Sequence, residues 1–167
     1  MNNQSVEQDC IDCMGTLDSI RHHIESNPLM AMNEHLNKYS VVMACGIIER
    51  SIKKIIYDRV TCNSEECIKK YLEKNVVKKA INPNYQNIIN ALLKPFDRFW
   101  EQKFKQDMDQ NFSQEREHLN SLVDLRNSIA HGGSSTPTIG NIIDYFDSSL
   151  KIIRLLDSIV AMQTGTQ

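Results

Sequence analysis

Apolar residues recur every three or four positions along almost the whole chain, and this spacing constrains the fold more than any other feature. Val6, Cys10, Cys13, Leu17, Ile20 and Ile24 fall on one face of a helix that stops before Asn27-Pro28. A longer helix is expected from about Asn33 to Val60. Its nearly continuous apolar centre, VVMACGII, suits the middle of a bundle. Gly46 in that centre costs helix propensity, which points to a close crossing with another helix.

Asn63-x-x-Glu66 resembles a capping box and opens a short helix to about Asn75. Asn82-Pro83-Asn84 is punctuation, and Ile88, Ile89, Leu92 and Leu93 then give another helix, interrupted near Lys94-Pro95. Phe96, Phe99, Trp100 and Phe104 form an aromatic cluster that reads as a packing wedge. Ser113 is placed to cap a helix running to about Ala130. The clearest loop is Gly132-Gly133-Ser134-Ser135-Thr136-Pro137, and a last helix covers roughly Ile139 to Met162. No segment alternates apolar and polar residues as a half-buried strand does. The expected class is all-α: a single domain, residues 1–167, built as a bundle of antiparallel helices.

The composition is that of a folded protein, with 24% charged and 41% hydrophobic residues among 167. No apolar stretch approaches the length of a membrane span, and the start MNNQSVEQD lacks the basic-then-apolar order of a secretory signal. A cytoplasmic protein is the expectation. The five cysteines then read as reduced thiols. Cys10 and Cys13 form a CxxC and Cys62 and Cys67 are a second pair, yet the first pair sits on an apolar stripe where cysteine acts as a small hydrophobe. Neither a metal nor a cofactor is expected.

The net charge of −2 conceals an asymmetry: residues 50–80 carry nine Lys and Arg against four Asp and Glu. Such a basic region can attract a polyanion, and Lys53, Lys54, Lys69 and Lys70 are the candidate RNA contacts within it. A solvated face of lysine-rich helices is the alternative.

The chemically informative stretch is Leu125-Arg126-Asn127-Ser128-Ile129-Ala130-His131-Gly132-Gly133. On a helical wheel, Leu119, Leu122, Val123, Ile129 and Ala130 all fall within about 60° of Arg126. A guanidinium on an apolar face needs a carboxylate, a phosphate or a wet cleft. Asn127 and His131, four residues apart, project from the edge of the same face. One fixed cation, one amide and one imidazole suit a phosphodiester, with arginine on the phosphate and histidine moving a proton. An ordinary helix end carrying a histidine on its dipole is the competing reading. Glu49 is central on the apolar stripe of the second helix, so a Glu49–Arg126 pair is expected.

Arg126-Asn127-x-x-x-His131 resembles the HEPN signature of an Arg followed by a polar residue and a His four to six residues beyond the Arg, here with four residues between Arg and His. LRNSIAHGG with its following Ser/Thr/Pro loop, the last helix containing DYF, and SVVMACGIIERSIKKII resemble the RiboL-PSP branch in particular. The resemblance spans most of residues 41–160. It implies a metal-independent endoribonuclease acting as a homodimer, in which the ribose 2′-hydroxyl attacks phosphorus at a composite cleft. Carried onto this chain, His131 handles the proton, Arg126 stabilises phosphate charge, Asn127 positions both, and Glu49 orients Arg126. It also implies a toxin or anti-phage effector, open to control by an inhibitor or effector protein. A catalytically silent adaptor, or an immunity subunit binding a protein or nucleotide, is the alternative. Toxins silenced by nucleotidylation carry a tyrosine two residues after the histidine; Gly133 stands at that position.

Overall fold

The computed structural model describes residues 1–133 and 137–162, so Ser134, Ser135 and Thr136 of the expected loop lie outside the described residues, as do residues 163–167. The fold is all-α, with no strand among the described residues. Helix α1, Gln4–Ser26, starts where the Asn3 side chain accepts from the Val6 amide at 3.1 Å. It buries Val6, Cys10, Cys13 and Leu17, so the CxxC pair is core packing. Helix α2, Met32–Thr61, packs against α1 and against the two last helices of the chain, which explains its apolar residues on several faces. Helix α1 runs antiparallel to α2, with Asn3 bonded to Asp58 at one end and Cys10 against Ser51 further along.

Helix α3, Glu66–Leu72, continues into a π-helical turn, Glu73–Val77. Helix α4, Tyr85–Asn87, does the same into Ile88–Leu93. Helix α5, Arg98–Asn111, is capped by Asp97, which accepts from the Phe99 and Trp100 amides. Helix α5 holds most of the expected aromatic wedge. Trp100 and Phe104 are buried with Met108, whereas Phe99 faces outward. Tyr85 stacks on Phe104 and Arg116 lies over the Tyr85 ring, tying α4 and α5 to the next helix. Helix α6, Ser113–Ala130, and helix α7, Ile139–Ala161, are antiparallel, with His118 beside Ser148 and Glu115 beside Lys151.

Three local expectations are corrected. Ser113 is the first residue of α6 and not its cap: α5 ends at Asn111, and Phe112 alone joins the helices, its carbonyl accepting from the Arg116 amide. Asn63 caps nothing, because α3 begins only at Glu66 and the chain before it is a turn closed by Ser64 N–H on the Thr61 carbonyl. Gly46 marks no helix crossing among the described residues: a Cβ there would meet none of their atoms within 4 Å.

The candidate site at the end of α6

The last turn of α6 fixes the geometry of the candidate site. His131 closes the helix, Gly132 adopts φ +77°, and two backbone bonds fold the chain back. Gly133 N–H donates to the Ser128 carbonyl at 2.8 Å and Gly132 N–H to the Ile129 carbonyl at 3.1 Å, the pattern of a Schellman motif. Glycine is needed at 132 for the left-handed conformation. It is needed at 133 for space, since a Cβ there would stand 2.9 Å from the Ser128 carbonyl oxygen. A side chain two residues after the histidine is thus sterically opposed by the turn itself.

Arg126 and Asn127 are half-buried on this helix, and His131 is exposed at its end. Arg126 donates to Asn127 Oδ1 at 3.4 Å. The same oxygen receives a shorter bond, 3.1 Å, from Asn82 Nδ2. Asn82 is held in turn: its carbonyl accepts from Asn87 Nδ2 and from the Asn84 amide, both at 2.9 Å. Sequence reasoning treated Asn82-Pro83-Asn84 only as a chain break. Its one usable signal was the density of asparagines, whose side chains bond to nearby backbone.

The expected Glu49–Arg126 pair does not form. Arg126 has no carboxylate within 4.0 Å among the described residues, and neither has Arg50. Glu49 Oε1 instead accepts from Lys53 Nζ at 2.5 Å and from the Ile81 amide at 2.9 Å. The reason is local: Lys53 lies four residues along the same helix and is only 4% exposed, so it has the stronger need for a counter-ion. Lys53 Nζ also donates to the carbonyl of Lys79. Both charges of the expected pair still border one buried group. Burial pushes the Cys45 thiol up to about 12, while Arg126 pulls it down and Glu49 pushes it further up.

Residues 16–162 match the family model for RiboL-PSP-HEPN. The chain belongs to the RiboL-PSP-HEPN family. No curated protein and no solved structure matches it significantly.

In this RiboL-PSP-HEPN chain the four candidate RNA lysines part company. Lys53 is removed as an RNA contact, because its ammonium is enclosed by Glu49 and backbone carbonyls. Lys54 is half-exposed and pairs with Asp58 at 3.0 Å. Lys69 and Lys70 stand on α3, which packs on α2 and not on α6. Cys62 and Cys67 are exposed, whereas the CxxC pair is buried. No cluster of three or more potential metal ligands occurs among the described residues, and no helix of the described residues is long and apolar enough to cross a membrane.

Proposed function

We propose that this RiboL-PSP-HEPN chain is an endoribonuclease that cleaves RNA through the 2′-hydroxyl, without a metal, at a site completed by homodimerisation. The reading rests on one observation above others: a half-buried guanidinium with no carboxylate partner among the described residues, beside an amide and on the helix that ends in an exposed imidazole. An uncompensated Arg126 is available to an anion, and phosphate fits its forked donors. Family membership supports the same class of ligand, since HEPN domains often dimerise and bind RNA.

In the proposed reaction the ribose O2′ forms a bond to the adjacent phosphorus as the bond from phosphorus to O5′ breaks. The products are a 2′,3′-cyclic phosphate and a 5′-hydroxyl. His131 moves a proton between the reacting oxygens, and Arg126 stabilises the charge that grows on the phosphoryl oxygens. Asn127 orients the guanidinium. Glu49 acts at a distance, by holding the segment that carries Asn82 against α2. Lys54, Lys69 and Lys70 add attraction for RNA that is independent of sequence. A growth-arresting toxin or anti-phage effector is the biological role that fits such an activity.

The test is incubation of the purified protein with total RNA in EDTA, comparing the wild type with Arg126→Ala and His131→Ala. Cleavage by the wild type alone supports the reading. Cleavage that needs a divalent metal, or that survives both substitutions, overturns it. Growth arrest on expression, relieved by His131→Ala, separates a nuclease from a silent adaptor.

A further inference from the structure

Gly46 sits in the middle of α2, where alanine would favour the helix. No neighbour among the described residues explains it, because none lies within 4 Å of the position a Cβ would take. What it does form is the floor of an open groove of about 430 Å³ between α2 and the segment 77–80. Val42, Met43, Val77 and Ala80 give the groove an apolar lining; of its cations, Lys53 is paired with Glu49 and Lys78 with Glu73 at 2.8 Å, which leaves Arg50 without a carboxylate partner among the described residues. Val42 and Val77 remain 49% and 39% exposed, so the apolar walls lack cover from this chain.

Glu49 also lines this groove, and only one of its oxygens is used: Oε1 takes Lys53 and Ile81, and Oε2 accepts no hydrogen bond among the described residues. A carboxylate repels phosphate but accepts well from N–H groups. The groove therefore offers an apolar lining, one acceptor and the unpaired guanidinium of Arg50, which is complementary to a nucleobase with its phosphate on the arginine. We propose that it binds a base of the RNA substrate, lying over Gly46 with its donor-bearing edge on Glu49 Oε2. Guanine fits best, because its N1–H and N2 amino group present donors along one edge. The subsite joins the proposed catalytic residues through three consecutive positions: Ala80 lines the groove, the Ile81 amide bonds Glu49, and Asn82 bonds Asn127. That the ligand is RNA rests on the ribonuclease reading; the binding itself requires no cleavage.

The experiment is a titration of the full ¹⁵N-labelled chain with guanosine, inosine and uridine monophosphates, read by NMR. Saturable shifts are expected at the Gly46 and Ala80 amides, with guanosine bound about tenfold more tightly than inosine, which lacks the N2 donors. Gly46→Leu should weaken guanosine binding at least about tenfold, and Gly46→Ala by less, with neither lowering the melting temperature. No saturable shift in the wild type, or an unchanged affinity in Gly46→Leu, overturns the proposal. So does a change of oligomeric mass in Gly46→Leu with nucleotide affinity intact, since that assigns the face to a protein. Guanosine binding by a wild type that cleaves no RNA would support the subsite and remove the ribonuclease reading.

Discussion

Lys53 and Glu49, one turn apart on α2, form an ion pair at 2.5 Å whose lysine is turned into the chain. The lysine is 4% exposed, and its remaining bonds go to the backbone of the segment after α3. Removing one charge strands the other, which costs about 3–5 kcal/mol for a buried pair. Lys53→Met is expected to destabilise by that order in urea unfolding. Lys53→Met combined with Glu49→Leu should recover part of the loss, as no lone charge remains. An unchanged unfolding midpoint in Lys53→Met would show that the ammonium is hydrated.

Replacing His131 by alanine is expected to lower cleavage about 10²–10⁴-fold and to leave RNA binding almost unchanged. Arg126→Ala should weaken both, because the guanidinium meets the phosphate before and during reaction. Single-turnover rates and fluorescence anisotropy on the same oligonucleotide separate the two effects. An oligonucleotide with deoxyribose at the scissile position should be bound and left intact; its efficient cleavage would refute 2′-hydroxyl attack.

Two glycines should respond in opposite directions. Gly46→Ala meets open space on a helix and is expected to stabilise the protein by about 1 kcal/mol. Gly133→Tyr forces a Cβ against the Ser128 carbonyl and should lower the melting temperature by disrupting the turn after His131. Equal effects of the two substitutions in differential scanning fluorimetry would contradict this account of the turn.

The buried thiols set an alkaline limit. Burial raises the Cys13 and Cys45 thiols from an ordinary value of 9.0 to about 12. Between those values the unfolded chain has released protons that the folded chain still holds. Stability is therefore fully present below pH 9 and is lost as the pH climbs toward 12. Urea midpoints measured from pH 8 upward should fall, and the fall should shrink in Cys45→Ala relative to that variant's own value at pH 8. At pH 8, a thiol reagent should label the exposed Cys62 and Cys67 and spare Cys10, Cys13 and Cys45.

The helices were legible because their spacing is a direct trace of burial: Val6 to Leu17 and Ile142 to Val160 face the core where the periodicity places them. Arg126, Asn127 and His131 were legible because they are close in sequence on one helix. The partner of Glu49 was not. An acid on an apolar face announces only that it needs a cation, and the matching apolar position of Arg126 points to that residue, not to Lys53. Burial decides the pairing, and Lys53 reads as a candidate RNA contact because lysine in a basic run usually reaches the surface. Asn82 was invisible for a different reason, since its contact with Asn127 spans 45 positions and carries no periodic signature.

The bonds from Glu49 and Lys53 also bear on how the molecule opens. Residues 78–84, outside regular structure, are fastened through the Ile81 amide and the Lys79 carbonyl to two side chains of the longest helix. Such a length of chain cannot fray by itself. Its release is tied to that of α2, so the Ile81 amide, bonded to Glu49, is expected to exchange as slowly as a core-helix amide. The expectation is that loop and helix open together, with Asn82 beside Asn127 until they do.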